Sequence, residues 1–574
     1  MANVIEKADA QIASFLSDWS MVTTLIALTI VAFVAYPIIY AAEPDTHPLL
    51  LARQSSINPV RRKYESAVYR SPEVPVDTPL RTGLNVKARG APRWAVGKDG
   101  DLRDVWREVQ KGGSTAQDGK ELPSGLVMTV LGKEEVVEHE IEGLTREIRI
   151  MGEHLRSNGC KRVAVYLPNS VEYLSTVFAC SFFGLTPILL PYNLPHPKVY
   201  EILNTTSADA LICAAGNLPL EDVTQECKNL KLLTWVVEKT SRHMDWNGVP
   251  DAAQERLNVS VWHDIVEETK PTTNNQLPGN DEGDRPGDVV VVSQPEKKPS
   301  AEPKIVTFTQ ANLVSAIAAL ISALPLRQRL SAADLVLPAS SFSIPYVLCQ
   351  TMASLYQHAS LAITSVAEPG VDLTLATRST APTVITASAE TMAALHDKEA
   401  TAGMGSIAKR ITKYSHSQAM SAGRMPTTDG LLFKLLAPSS TSNKPGRLRL
   451  ILTSERLGSN TPPLTSTMLS DLRIFTRARI CYALTAPQVA GAIAQSHVFD
   501  YRREEGSGHG HSGLPLSSVE IKLKNEDDGM VAGSRPEGEI VVSGPAVAAG
   551  ERGSATVNLG VKGVFREDGT LALV

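Results

Sequence analysis

Three lysines lie between a buried apolar strand and the start of a helix, where positive charge can attract phosphate. The segment Val289–Leu313 reads VVVVSQPEKKPSAEPKIVTFTQANL and contains Lys297, Lys298 and Lys304. Phosphate loops at such places use glycines, because bare backbone lets N–H groups close around phosphate oxygens. This segment has no glycine, and its prolines remove N–H donors. The pattern predicts a poor phosphate site, and a solvated charged loop is the simpler interpretation of Lys297 and Lys298.

The sequence gives only weak signals for metal binding, catalysis, disulfide bonds or nucleic-acid binding. His509 and His511 have no cysteine or carboxylate at metal-ligand spacing, so we predict no metal site. Ser454 and Glu455 suit a turn better than catalysis, and we assign no catalytic residue. The six cysteines form no CxxC pair, which favours reduced buried thiols over a disulfide framework. A net charge of −5 with no basic bias argues against nucleic acid as a partner.

Strand-like and helix-like runs alternate from Leu126 onward, which predicts βαβ units and parallel sheets. The near-continuous apolar run Val163–Leu167 is typical of a parallel strand buried on both faces. Residues 270–288 are polar and rich in helix breakers, so we interpret them as a linker. Short β runs after His497 indicate a small β-rich subdomain. The other predicted segments are a tail at 1–18, an extended lead-in at 43–125, a first α/β part at 126–269, a second at 289–497 and the β-rich subdomain at 498–574.

The uncharged run from Trp19 to Ala42 predicts one transmembrane helix, since about 20 apolar residues cross a hydrocarbon core of about 30 Å. A buried core helix and a cleaved signal peptide are the alternatives, and the acidic residues before the run disfavour the signal peptide. Four basic residues lie between positions 53 and 63, against Lys7 alone before the run. The positive-inside bias predicts a single-pass membrane protein whose large domain faces the cytosol, at the endoplasmic reticulum or another internal membrane.

Several motifs resemble the adenylate-forming superfamily, which includes acyl-CoA synthetases, luciferases and peptide-synthetase adenylation domains. Lys161–Asn193 looks like the family's strand, turn, apolar helix and return strand. Thr309–Leu313 is similar to its Thr-His-x-Asn-Leu helix start, with Gln310 in place of His. Gly510–Leu523 and Gly538–Pro545 resemble its β-rich subdomain. The resemblance implies a large α/β domain over 126–574, with two parallel-sheet βαβ subdomains and a small β-rich subdomain, here preceded by the transmembrane helix.

The resemblance also implies which residues belong to a vestigial nucleotide site. These are Lys304, Thr309, Tyr482 and Thr485. In the family the tyrosine packs beside adenine and the threonine hydroxyl contacts phosphate. The family's Mg²⁺-binding glutamate is replaced by Ala486, whose methyl group offers no oxygen ligand.

Further departures from the family concern the base, the ribose and the C-terminus. Thr453-Ser454-Glu455 replaces the small Gly-Gly-Ala turn beside adenine, and Val561 replaces the aspartate that binds the ribose. Ser341-Phe342-Ser343 stands where the family has a histidine gate to the acyl pocket. We also expect the family's mobile C-terminal domain to be missing after Val574.

Two functions follow from the resemblance. The first is a membrane-anchored, long-chain acyl-CoA synthetase-like protein without catalysis, which binds acyl groups or lipid or serves as a membrane scaffold. The alternative is an active AMP-forming fatty acid–CoA ligase or acyl-adenylate synthetase. We expect no cofactor in the first case, and ATP with Mg²⁺ only in the second. The expected partners are membrane lipid, a fatty acyl ligand and another protein.

Overall fold

The chain forms two compact units, Met1–Pro48 and Leu49–Val574. The predicted tail at 1–18 and the lysines Lys297 and Lys298 lie outside the described residues. The computed structural model describes residues 20–39, 43–87, 91–92, 94–113, 124–131, 135–237, 256–269, 276–279, 285–294, 302–367, 370–377, 380–403, 407–426, 448–460, 462–503, 509–550 and 555–574.

The first unit contains helix α1, Met21–Ile39. At its start Ser20 and Thr23 exchange hydrogen bonds, the amide of Ser20 donating to Thr23 Oγ1 over 2.7 Å. The prediction of a transmembrane helix is wrong, because no helix in the described part of the chain has the length and apolar character to cross a membrane. Within the uncharged run the structure describes a helix of 19 residues. The single-pass topology with a cytosol-facing domain is wrong for the same reason.

Helices of the second unit lie mostly between consecutive strands, as the alternating pattern predicts. They are α2 (Pro48–Ala52), α3 (Leu102–Lys111), α4 (Ile141–Ser157), α5 (Val171–Phe182), α6 (His196–Thr205), α7 (Leu220–Glu226), α8 (Trp262–Thr269), α9 (Gln310–Ala323), α10 (Pro345–Tyr356), α11 (Leu373–Ala376), α12 (Ala389–Gly403), α13 (Ile407–Ser421), α14 (Ser466–Thr476) and α15 (Asp528–Ala532).

The strands of this unit build three sheets. They are β1 (Ser56–Ile57), β2 (Tyr69–Arg70), β3 (Val127–Leu131), β4 (Glu135–His139), β5 (Arg162–Tyr166), β6 (Thr186–Leu189), β7 (Ala210–Ala214), β8 (Leu232–Val236), β9 (Asn258–Val261), β10 (Val289–Ser293), β11 (Lys304–Phe308), β12 (Leu335–Pro338), β13 (Ser360–Thr364), β14 (Val384–Ser388), β15 (Leu450–Arg456), β16 (Arg479–Thr485), β17 (Ala494–Gln495), β18 (Leu514–Pro515), β19 (Glu520–Lys524), β20 (Glu537–Ser543), β21 (Thr556–Phe565) and β22 (Leu571–Leu573).

Two of the sheets are mainly parallel. The first has the order β11-β10-β6-β5-β7-β8-β9, and only β11 runs antiparallel to its neighbour. The second has the order β18-β17-β16-β15-β14-β12-β13-β3-β4, with a parallel centre from β16 to β3. Their central strands are apolar on both faces because helices cover both sides of such sheets. The carboxyl ends of parallel strands meet at one edge, so loops that are distant in sequence come together there.

The third sheet is antiparallel, with the order β1-β2-β19-β20-β21-β22. Strands β1 and β2 come from the segment at 43–125, which also contains helix α3. Asp101 caps α3 by accepting a hydrogen bond from the amide of Arg103. The buried residues Leu102, Val105, Trp106 and Val109 of α3 follow helical spacing. Part of the lead-in is therefore packed structure, a feature that the sequence interpretation as an extended segment missed.

A half-buried histidine, His416, makes the stability of this unit depend on pH. Burial, with a smaller contribution from the charge of Arg477, lowers the pKa of His416 in α13 to about 4. Below pH 6.5 the imidazole of the unfolded chain binds a proton, whereas that of the folded chain stays neutral until about pH 4. The free energy of unfolding therefore decreases as the pH falls below 6.5. Because solvent screens a half-buried group, we expect His416 to lower the free energy of unfolding by only about 1 kcal/mol between pH 7 and pH 5.

Urea unfolding at the two pH values checks this effect. His416→Gln should reduce the difference in the free energy of unfolding between pH 7 and pH 5 by about 1 kcal/mol. His196→Gln, which changes an exposed imidazole, is the matched control. An unchanged pH dependence in the His416 variant would contradict the expectation.

Candidate functional site

A cavity of about 250 Å³ opens where the carboxyl ends of the two parallel sheets meet. We call it the main cavity. Its walls include Asn193 and Leu194 beyond β6, Ser293 at the end of β10, and Thr485 at the end of β16. The lining is largely apolar, with hydroxyl and amide groups between the apolar residues. In α/β folds such an edge is the usual place for a ligand.

Charge in the main cavity comes from one side chain among the described lining residues. This is Arg456, the last residue of β15, and no carboxylate lines the cavity in the described part of the chain. Glu390 lies near the guanidinium, with 3.8 Å between its Oε1 atom and Nη2 of Arg456. The described walls therefore present one positive charge in mainly apolar surroundings.

Lys304 and Thr309 lie outside the described walls of the main cavity. Lys304 is exposed at the start of β11, where it is the register partner of Ser293. Thr309 caps α9, because its hydroxyl accepts a hydrogen bond of 3.2 Å from the amide of Asn312. Gln310 accepts from the amide of Leu102 over 3.2 Å and so ties α9 to α3. Thr309 and Gln310 thus make structural contacts at the start of this helix.

Tyr482 and Thr485 of β16 both donate hydrogen bonds to one buried residue, Glu455 of β15. The hydroxyl of Tyr482 donates to Glu455 Oε2 over 3.0 Å and accepts from the amide of Leu464 over 3.2 Å. The hydroxyl of Thr485 donates to the backbone oxygen of Glu455 over 2.9 Å. Ser459 also contacts Glu455, with 3.4 Å between Oγ and Oε1. We call these residues the Glu455 network.

A second, much smaller pocket lies beside this network. It has a volume of about 10 Å³ and is lined by residues that include Ser340, Ser388, Glu390 and Ser454. A cavity of this size holds about one water molecule. Ile344 and Arg456 line both this small pocket and the main cavity, so the two spaces share a wall.

Comparison with known proteins identifies the family. A family model described as AMP-binding enzyme matches residues 142–292 and 300–550. This chain belongs to the AMP-binding enzyme family. A search of curated proteins by sequence finds no match.

Solved structures of other AMP-binding enzymes share the α/β fold. The anthranilate CoA ligase AuaEII in complex with anthranoyl-AMP has a TM-score of 0.56 and 15% identity, with 85% of this chain and 79% of that chain covered. The long-chain-fatty-acid-CoA ligase FadD1 from Archaeoglobus fulgidus has a TM-score of 0.56 and 14% identity, with 86% of each chain covered. The N-terminal domain of FACL13 from Mycobacterium tuberculosis has a TM-score of 0.54 and 14% identity, with 83% and 100% covered.

Nucleotide and magnesium do not fit the described residues of this AMP-binding family member. The small pocket lined by Ser454, Arg456 and Ser459 has a volume of about 10 Å³, far below the volume of a purine base. Ala486 lines the main cavity at the position of the family's magnesium ligand and offers no oxygen there. Among the described residues, no group of three or more histidine, cysteine, aspartate or glutamate side chains could hold a metal. Val561 is half-buried on β21 and carries no group that could bind ribose.

Sequence reasoning missed Arg456 and Tyr346, and its assignment of Ser454 and Glu455 to a turn is wrong because both lie in β15. Glu455 and Arg456 follow an apolar strand and look like an ordinary polar strand end. Tyr346 lies in an apolar helix and looks like a core aromatic residue. A pair of opposite charges within the last two residues of a buried strand is the signal that could have drawn attention to this strand end.

Tyr482→Phe tests the role of the Glu455 network. The variant removes the donor to a buried carboxylate and leaves the Leu464 amide without this acceptor. Because hydrogen bonds to buried charged groups contribute about 1.5 to 3 kcal/mol, we expect a loss of about 2 kcal/mol in the free energy of unfolding. Urea unfolding measures it, and Tyr414→Phe, at an exposed position, is the control. A tyrosine that serves only a nucleotide would give no loss.

Proposed function

We propose that this AMP-binding family member does not catalyse adenylate formation and instead binds a small acyl or aryl carboxylic acid in the main cavity. The observation that carries the proposal is the contrast between two spaces. The Glu455 network accompanies a pocket of about 10 Å³ where a base would lie, while the neighbouring cavity of about 250 Å³ stays open. A pocket for the acyl or aryl part of an acid can persist in a protein that has lost its nucleotide pocket, because different side chains form the two pockets.

Charge supports the same conclusion. ATP carries several negative charges, and Mg²⁺ requires oxygen ligands to neutralise them during phosphoryl chemistry. The described walls offer Ala486 in place of that ligand and Arg456 as one cation. Arg456 is itself ion-paired with Glu390 at 3.8 Å, so the described walls offer no surplus of positive charge for a polyanion such as ATP. We therefore propose that Tyr482 and Thr485 have a structural role here, and that Lys304 and Thr309 do not bind nucleotide.

The cavity volume sets the size of the ligand. If each non-hydrogen atom takes about 30 Å³, the share of liquid volume of one water molecule, 250 Å³ holds roughly eight such atoms. Octanoate and benzoate have this size, whereas a long-chain fatty acid is too large for the described space. We propose acids of this smaller class as the ligands.

Calorimetric titration of the full chain tests the proposal. Octanoate or benzoate should bind with a dissociation constant in the millimolar range or tighter, and Mg-ATP at the same concentrations should give no saturable heat. Palmitate is the size control and should bind more weakly than octanoate. Saturable binding of Mg-ATP, or pyrophosphate release that depends on the acid, would instead support an active acyl ligase and overturn the proposal.

A further inference from the structure

Two serines place a pair of hydroxyl groups in the wall of the main cavity. Ser341 and Ser343 lie in the turn between β12 and α10, and both line the cavity. Their Oγ atoms are 2.9 Å apart, so the two side chains lie on the same side of the turn. Phe342 between them is turned into the core, where it is 0% exposed and its ring centroid lies 5.6 Å from that of Tyr173. We call Ser341 and Ser343 the serine pair.

The turn that carries the serine pair is fixed by a buried amide side chain. Asn169, which is 3% exposed, accepts a hydrogen bond of 2.8 Å from the amide of Phe342 through Oδ1. Its Nδ2 atom donates to the backbone oxygen of Ser340 over 2.9 Å. The amide of Ile344 donates to the backbone oxygen of Ser341 over 3.1 Å and closes the turn. Groups that are fixed in advance lose little freedom when a ligand binds, which favours specific recognition.

One O–H group of the serine pair has no acceptor in the part of the chain that the structure describes. Each serine hydroxyl carries one hydrogen and two lone pairs. One hydrogen lies between the two Oγ atoms, and the amide of Ser343 donates to Oγ of Ser341 over 3.3 Å. The hydrogen of the other hydroxyl, together with the lone pairs that these bonds leave over, therefore remains for a group inside the cavity.

A plain hydrocarbon tail is a poor neighbour for this remaining donor. When such a tail packs against the serine pair, it excludes water and leaves a hydroxyl without a hydrogen bond, which costs free energy. A tail that carries an oxygen atom at this point accepts the hydrogen instead, and a tail hydroxyl can also donate to a serine oxygen. Because serine hydroxyls carry no charge, this contact selects for the polarity of the tail and not for the carboxylate.

We infer that the serine pair determines specificity in the main cavity, where it favours acids whose acyl or aryl part carries a hydroxyl or oxo group over acids whose corresponding part is plain hydrocarbon. This preference, which rests on the proposed function, narrows the class of ligands that the cavity accepts. It concerns the acyl or aryl part alone and assigns no residue to the carboxylate. No bond is made or broken in this binding.

Calorimetric titration of the unmodified full chain with matched ligands tests this preference. Meta-hydroxybenzoate is compared with meta-toluate, and para-hydroxybenzoate with para-toluate, because a hydroxyl and a methyl group have nearly the same size. In a purely apolar cavity the toluates would bind more tightly, since a methyl group gains more free energy on leaving water. With the serine pair, the hydroxy acid should bind roughly 3- to 10-fold more tightly than its toluate at one ring position at least. Equal or tighter binding of the toluate at both positions would overturn the inference.

Variants then assign the preference to the two serines. The double variant with Ser341→Ala and Ser343→Ala should bind the toluates at least as tightly as the hydroxy acids, because no serine hydroxyl is left to be satisfied. Ser343→Ala alone should retain part of the preference, because the hydroxyl of Ser341 remains. Ser157→Ala, which removes an exposed serine hydroxyl at the end of α4, is the control and should retain the full preference.

The outcomes separate this preference from the proposed function. If none of these acids, benzoate included, binds the unmodified chain, the proposed function fails and the preference fails with it. If benzoate binds and neither hydroxy acid is preferred over its toluate, the proposed function stands and only the inference is overturned. If the double variant retains the full preference, the assignment to the serine pair is wrong. A double variant that does not fold leaves the comparison on the unmodified chain, which decides the inference by itself.

Discussion

The variant Ala486→Glu will release pyrophosphate no faster than the background rate, although it restores the side chain that the family uses for Mg²⁺. The reason is that a magnesium ligand acts only on a nucleotide that is already positioned. Glu455 and Tyr482 are joined by a hydrogen bond of 3.0 Å beside a pocket of about 10 Å³. Loss of one positioned group in an active site typically costs about 100- to 1000-fold in rate. If the base site is closed, as we propose, one restored carboxylate will not recover turnover.

A coupled pyrophosphate assay with Mg-ATP and octanoate measures this rate for the unmodified chain and for the variant. An active ligase of the same family serves as the positive control for the assay. We expect both forms of this chain to lie at least about 1000-fold below that control. An acyl-adenylate formed by the unmodified chain would contradict the whole account of the nucleotide site. Turnover in the variant alone would mean that Glu455 moves aside when ATP binds.

Much of the α/β architecture could be predicted from the sequence, because buried parallel strands leave a strong local pattern. The apolar run Val163–Leu167 covers most of β5, and Thr309 stands where α9 begins. Helix α3 was missed although Leu102, Val105 and Trp106 have helical spacing. The prolines and glycines around this short segment favoured the interpretation as an extended chain. The hydrogen-bond partner of its Leu102 amide is Gln310, which lies 208 residues further along the chain.

The charge-free run at 19–42 shows the limit of composition as a guide. The composition indicated that inserting this segment into a membrane would not require burying a charge in the hydrocarbon core, which costs much free energy. It did not fix where the helix begins and ends. The structure gives a helix of 19 residues, Met21–Ile39, within that run.

The candidate site could be predicted only in part, because its contacts depend on strand register. The motif at Tyr482 and Thr485 could be placed at the end of a sheet strand from its similarity to the family. The partner of both hydroxyls is Glu455, which becomes a neighbour through the parallel pairing of β15 with β16, where Thr453 is opposite Tyr482. No local pattern reveals that pairing or the direction of a hydroxyl. Arg456 faces a cavity for the same non-local reason.

Asp500→Ala will destabilise the second unit by about 3 to 5 kcal/mol, because it breaks a buried ionic network. The Asp500 side chain is 0% exposed, and Arg502 binds it through Nε at 2.8 Å and Nη2 at 2.6 Å. Gln54 donates to Asp500 over 2.8 Å, and His511 lies 3.5 Å from the same oxygen. Arg502 also contacts Asp568 over 2.7 Å. The network therefore joins the segment before β1 to the turn between β21 and β22.

Urea unfolding at pH 7 measures the loss, and Glu201→Ala is the control because its exposed pair with Lys198 should contribute less than about 1 kcal/mol. Hydrogen bonds and the nearby positive charges of Arg502 and His511 outweigh burial and hold the pKa of Asp500 well below its usual range. Its stabilisation is therefore present above the usual carboxyl pKa near 4 and is lost as the pH falls through the lowered folded value. The difference between Asp500→Ala and the unmodified chain should consequently persist from pH 7 to pH 5. A loss below about 1 kcal/mol would mean that apolar contacts, and not this network, hold the segment before β1 to the turn between β21 and β22.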